Sequence, residues 1–210
     1  MGRTRGLWAP SEATSFWYRF FPLKPHTVLP GDVNAERGRR LRRAIAALSR
    51  AAGAPLVSKN VVCSVRLEAI AAFVPEMRFV VMHRDHLEVA SSILAARMNA
   101  QGNYTDWWSV EPANIDDLRH LPPERQVVEQ VRAVESAIDR ARSVLNGESF
   151  TDVKYAELAA DPHAVLQRLA RLLDLKPRRT APRLPDAFPR RDRNPLDPQL
   201  AARLAEYLAR

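Results

Sequence analysis

Three polar residues stand where short apolar runs end: Lys59 after "APLVS", Arg84 after "FVVMH" and Tyr155 after "SFTDVK". Arg84 has the clearest chemistry. Its guanidinium presents a planar fork of donors, and Ser92, eight residues on, adds a hydroxyl. An arginine fork beside a hydroxyl is a phosphate-binding arrangement. A second reading is open on sequence alone, in which Arg84 pairs with Asp85 or another neighbouring carboxylate.

The elements around Arg84 favour a ligand role if they form as the pattern predicts. Phe79 to Met82 are four unbroken apolar residues, which suits a strand covered on both faces and therefore a parallel sheet. Asp85 then caps a helix, and Glu88, three residues on, completes a capping box. Ligands of open parallel sheets bind just beyond the carboxyl ends of the strands, where helix amino termini offer unpaired N–H groups. Arg84 belongs on that rim.

Further elements follow the same alternation. A helix is expected from about Ala35 to Ala52, stopping at Gly53, with Leu41, Ile45 and Leu48 as its apolar stripe and its arginines in solvent. "APLVSK" reads as a short strand, "SVRLEAIAAFVP" as a helix with Val65, Ile70 and Phe73 inward, and the helix after Arg84 as reaching about Asn99. A long helix starts at Pro123 and closes at Asn146-Gly147, and "SFTDVKY" is the third strand. Asp161-Pro162 and Asp197-Pro198 each pair a capping aspartate with a proline at the first helical position. Strands alternating with helices imply right-handed parallel crossovers. The aromatic segment "FWYRFFPLKPHTVLPGD" has no regular period, "QGNYTDWWSVEP" is a polar, aromatic insertion, and "KPRRTAPRLPDAFPRRDRN" reads as a mobile flap.

Composition narrows the class. The 210 residues suit one domain over residues 1–210, with no internal repeat. A single cysteine, Cys63, excludes an internal disulfide, and four ligands at zinc spacing occur nowhere. His83, His86 and His163 are isolated, so no metal set is expected. No stretch approaches the roughly 20 apolar residues of a membrane span, and the expected location is cytoplasmic. The net charge of +8 and pI near 10.3 call for an anionic partner, yet no nucleic-acid motif accompanies the basic runs.

Taken in order, "VSKN", "FVVMHRDHLEVASS" and "VKYAELAADP" resemble the sulfotransferase family that uses 3'-phosphoadenosine 5'-phosphosulfate. That family has a lysine at one strand end, then Arg-Asp-Pro with a serine eight residues after the arginine, then Tyr-Glu-Asp-Leu and an Asp-Pro. The likeness runs from about Glu12 to Leu175, with His86 in place of the proline. It implies a three-layer α/β/α fold with a parallel sheet, related to the P-loop nucleotide-binding folds. The family's first strand and its glycine-rich loop of the Arg-Ser-Gly-Thr-Thr type have no counterpart ahead of Glu12, so the domain is expected to lack that strand and to be incomplete at its amino terminus.

The resemblance implies roles residue by residue. Arg84 and Ser92 bind the 3'-phosphate of the co-substrate, Tyr155 packs near the adenine, and Lys59 stabilises charge on the bridging oxygen as the bond to sulfur breaks. "SEATSFW" is similar to the family's Glu-x-x-x-Phe segment, which makes Glu12 the general base on the acceptor. The implied activity is sulfuryl transfer to a hydroxyl or amine of a small-molecule, glycan or lipid acceptor, without metal and with reduced activity if the loop is absent. The alternative is a non-catalytic protein that binds nucleotide phosphates or polyanions on the same fold.

Overall fold

The computed structural model describes residues 12–176, 184–189 and 196–209. In chain order its elements are α1 (Thr14–Trp17), α2 (Ala35–Ala52), α3 (Leu67–Phe73), β1 (Phe79–His83), α4 (His86–Gln101), α5 (Ile115–Leu118), α6 (Pro123–Val144), β2 (Phe150–Lys154), α7 (Tyr155–Ala160), α8 (Pro162–Leu172) and α9 (Pro198–Ala209). The architecture is a mostly helical α/β one whose sheet, among the described residues, is a parallel pair of strands. The chain divides into two compact units. One comprises Met1–Met77, Trp107–His120 and Arg132–Leu145, and the other Arg78–Asp106, Leu121–Val131 and Asn146–Arg210.

In the first unit α2 runs over the expected span. The Asn34 side chain accepts from the Arg37 N–H at 2.8 Å, and Gly53, at φ 61°, ends the helix in the left-handed conformation that suits glycine. Gly38 and Leu41 are buried, and a Cβ at Gly38 would come within 2.1 Å of the Phe73 ring, so the missing side chain is what lets α3 lie against α2. The predicted apolar stripe does not extend to Leu48, which is 45% exposed. Val65 and Ile70 are buried as expected, although Val65 belongs to a short 3-10 turn over Val61–Val65 and α3 is correspondingly shorter than predicted. Val65, Val110 and Ala137 form a core with Val62 and Val134 packed on it.

A second feature holds the irregular aromatic segment in place. Arg66 is 1% exposed; its Nε donates to the His26 carbonyl at 2.6 Å and its Nη2 to the Pro22 and Pro25 carbonyls at 2.9 and 3.3 Å. The guanidinium also lies 5.6 and 5.3 Å from the ring centroids of Tyr18 and Phe21. Carbonyl dipoles and π-faces together replace the hydration that burial removes.

The expected strand at "APLVSK" does not form. Residues 55–60 have no ladder partner among the described residues, and Val57 is 84% exposed. A strand is stabilised by a neighbour's N–H and C=O groups. Here the stretch is tied down by side chains instead: the Leu56 N–H donates to Ser49 Oγ at 3.2 Å, and Trp17 Nε1 donates to Ser58 Oγ at 3.0 Å.

In the second unit β1 and β2 pair in parallel from Phe79↔Phe150 to His83↔Lys154. The Phe79 and Phe150 rings stack across the pair at 5.1 Å between centroids. β1 is not covered on both faces as predicted: Val80 and Met82 are 42% and 46% exposed, because an apolar run specifies a strand without supplying the layer that covers it. A core of this unit is formed by its helices, where Ala90 and Leu94 of α4, Val127 and Val128 of α6, and Leu200 and Leu204 of α9 are all buried together. Asp161 and Asp197 cap α8 and α9 as predicted, accepting from the Ala164 N–H at 2.9 Å and the Gln199 N–H at 3.0 Å. Most of the predicted flap, residues 177–183 and 190–194, lies outside the described residues. Within 184–189, the Phe188 N–H donates to the Ala159 carbonyl at 2.8 Å.

Candidate functional site

The register of the sheet decides where two of the predicted residues go. His83 and Lys154 are the last paired residues of two parallel strands, so the next residue of each strand, Arg84 and Tyr155, leaves the same edge of the sheet side by side. Arg84 Cζ stands 4.8 Å from the centroid of the Tyr155 ring. This is a cation–π contact, worth about 0.5–1 kcal/mol at a partly exposed site.

The helix after Arg84 begins as the sequence predicts. Asp85 Oδ1 accepts from the Glu88 N–H at 2.9 Å, and α4 then runs to Gln101 with Gly102 at φ 75° beyond it. The Glu88 carboxylate, read from sequence as a capping partner, accepts a hydrogen bond from Arg84 Nε at 2.8 Å. The neighbouring-carboxylate reading of Arg84 is therefore met by Glu88. Ser92 lies one turn further on, at the i+4 position from Glu88 and thus on the same face of α4. Glu88 and Ser92 form one row on α4, to which Arg84, ahead of the helix, is joined through Glu88, and the guanidinium lies over the Tyr155 ring. The role of Glu88 was missed in sequence, although its spacing of four from Arg84 was visible there.

Beside this row His83 Nε2 and Asp152 Oδ1 are 2.6 Å apart, which ties the carboxyl end of β1 to β2. Arg97, further along α4, is fully buried; its Nη1 donates to Gln126 Oε1 at 2.6 Å and to the Tyr104 carbonyl at 3.1 Å. Burial pushes its pKa down to about 10, still well above neutrality, so it stays charged and anchors α4 to α6 within this unit.

Lys59 and Glu12 lie in the first unit and meet there as a salt bridge between Nζ and Oε1. Lys59 is 76% exposed. The backbone of Glu12 is also held, since Asn60 Nδ2 donates to its carbonyl at 3.1 Å while Asn60 Oδ1 caps the following 3-10 turn at the Val62 N–H, 2.9 Å away. The lysine is thus presented by side-chain bonds from Trp17 and Asn60 to its neighbours, and not by the strand end that the sequence suggested. Cys63, just beyond, has its thiol pushed up to about 12, mainly by burial, and is not a nucleophile at neutral pH. Among the described residues no group of His, Cys, Asp or Glu side chains is placed to hold a metal ion, and no helix is long and apolar enough to cross a membrane.

A family model described as the sulfotransferase family matches residues 24–178. The chain belongs to the sulfotransferase family. The matched span contains Lys59, Arg84, Ser92 and Tyr155, whereas Glu12 lies ahead of it. No curated protein and no solved structure matches the chain. Membership of a sulfotransferase family implies a transferase that uses 3'-phosphoadenosine 5'-phosphosulfate.

Proposed function

We propose that this sulfotransferase moves a sulfuryl group from 3'-phosphoadenosine 5'-phosphosulfate to a hydroxyl or amine acceptor. The observation that carries the reading is the stacking of Arg84 on Tyr155 where two parallel strands end, with Ser92 in the second turn of the helix that follows. The arginine fork and the hydroxyl suit the two-oxygen edge of the 3'-phosphate, and the Tyr155 ring suits a purine. A phosphate arriving there competes with the Glu88 carboxylate for Arg84. The whole chain is taken as one sulfotransferase-like domain with the three-layer fold of its family.

Lys59 and Glu12 are assigned to the transfer step. The acceptor oxygen forms a bond to sulfur as the bond from sulfur to the bridging oxygen of the nucleotide breaks. The acceptor proton passes to the Glu12 carboxylate, and Lys59 balances the charge left on the departing phosphate oxygen. Positioning and electrostatics carry most of such an in-line displacement.

Calorimetry with adenosine 3',5'-bisphosphate tests the binding half. Wild type should bind, and Arg84→Ala should bind about tenfold or more weakly, the loss expected for a charge-assisted hydrogen bond. Equal affinities would overturn the assignment. Transfer from a labelled sulfate donor tests the chemistry: Lys59→Ala and Glu12→Gln should lose it while melting within a few degrees of wild type, because an exposed ion pair contributes only about 0–1 kcal/mol. Bisphosphate binding with no transfer by wild type would favour the non-catalytic nucleotide-binding reading.

A further inference from the structure

A cleft of about 460 Å³ in the first unit is lined by Arg19, Phe20, Arg40 and Ala44. It is broadly open to solvent. Two guanidinium groups line it, and Phe20, a buried aromatic residue, supplies an apolar wall. No carboxylate among the described residues pairs with either arginine. The charge there is unusual in a second way. Arg40 and Arg43 lie on the face of α2 turned away from Gly38 and Leu41, with Arg37 one turn before Arg40, so the cleft opens beside further exposed guanidinium groups. Glu36 stands four residues before Arg40 in the first turn of α2, yet no ion pair joins them among the described residues.

The cleft also communicates with the Lys59 region by packed side chains within the same unit. Phe20 stacks edge-on against Phe16 at 5.2 Å, Phe16 against Trp17 at 5.3 Å, and Trp17 Nε1 donates to Ser58 Oγ, next to Lys59. The aromatic row thus runs from the lysine proposed for transfer to the arginine pair.

We infer that the Arg19–Arg40 cleft is a binding site for an anionic group, a carboxylate or sulfate ester, borne on the acceptor next to an apolar body that lies on Phe20. The acceptor role rests on the transfer reading above; the anion site does not. Arginine forks recognise planar or tetrahedral oxyanions through paired N–H donors, and the aromatic wall excludes water from one side of them.

The test is binding of phenyl sulfate to the full chain, measured by calorimetry with saturating adenosine 3',5'-bisphosphate present. Phenol serves as the uncharged body and inorganic sulfate as the charge alone. Phenyl sulfate should bind more tightly than either, less so as salt rises. Arg19→Ala and Arg40→Ala should each weaken it about tenfold or more. Arg40→Lys should recover part of the loss, and Arg50→Ala, in the last turn of α2, should leave it unchanged. Arg84→Ala should weaken bisphosphate binding about tenfold or more and spare phenyl sulfate. If Arg84→Ala removes phenyl sulfate binding and the two cleft variants do not, the anion goes to the nucleotide site and the inference is overturned. If no bisphosphate binds but phenyl sulfate does, with the stated dependence on Arg19 and Arg40, the transfer reading fails and the anion site stands.

Discussion

The Arg84 guanidinium lies 4.8 Å from the centre of the Tyr155 ring because two parallel strands end in register at His83 and Lys154. The contact joins residues 71 positions apart without any bond that either side chain alone requires. Tyr155→Phe keeps the π-face and should leave bisphosphate affinity within twofold of wild type. Tyr155→Leu removes it and should weaken binding about two- to fivefold, in line with a cation–π contact of about 0.5–1 kcal/mol. Equal behaviour of Phe and Leu would show that Tyr155 acts by shape alone.

Glu88 makes a second, opposite prediction. Its carboxylate accepts from Arg84 at 2.8 Å, so a phosphate must displace it or share the guanidinium with it. Glu88→Gln removes the charge while keeping an acceptor on the same helix face. Affinity for adenosine 3',5'-bisphosphate should rise severalfold, and the rise should shrink as salt screens the carboxylate in wild type. Weaker binding in Glu88→Gln would mean that the carboxylate holds Arg84 in its binding position.

The contrast between these two residues shows what a sequence can disclose. Local signals were legible: the span of α2, the caps at Asp85, Asp161 and Asp197, and the placement of Arg84 and Tyr155 at the ends of β1 and β2 all follow from residues a few positions apart. The partner of Arg84 was less so, because Asp85, Glu88 and a ligand are each chemically suitable. Residues 55–60 misled, since a run of apolar residues ending in lysine satisfies the strand pattern whether or not another strand lies beside it. The Arg19–Arg40 cleft was invisible, because its two arginines come from an irregular turn and from a helix face that reads as ordinary solvated surface.

His26 gives the first unit a dependence on acid. Its Nδ1 accepts the Glu111 N–H at 2.9 Å, and burial, above all, lowers its pKa below the ordinary 6.5; the nearby Glu111 carboxylate opposes that shift, and Arg66 and Lys24 reinforce it. The unfolded chain therefore takes up this proton at a higher pH than the folded one. The contribution of His26 to stability is whole above about pH 6.5 and is lost as pH falls through the lowered folded value. The melting temperature should fall on acidification from pH 7.5 to 5.5. The fall should be smaller in His26→Asn, whose side-chain oxygen keeps an acceptor for Glu111 and does not titrate. An identical pH profile in the two proteins would assign the acid sensitivity to other groups.

Gly38 sets two general rules against each other. Alanine in the middle of a helix is favoured over glycine by about 1 kcal/mol, so by propensity alone Gly38→Ala should stabilise α2. The new Cβ, however, would lie 2.1 Å from Phe73 Cδ1, 2.2 Å from Cε1 and 2.4 Å from Cγ, within the body of the ring and not at the tip of a flexible chain. Relieving that overlap means displacing α3 or forcing Phe73 off its rotamer, typically at about 1–3 kcal/mol. Overpacking should win, and Gly38→Ala should melt below wild type. Phe73→Leu shrinks the side chain that the methyl group meets, so the double variant should be more stable than the sum of the single changes predicts. Contacting residues usually couple by about 0.5–3 kcal/mol in such a cycle. Additive effects would mean that the ring swings clear of the methyl group, and that Gly38 is not what sets the approach of α3 to α2.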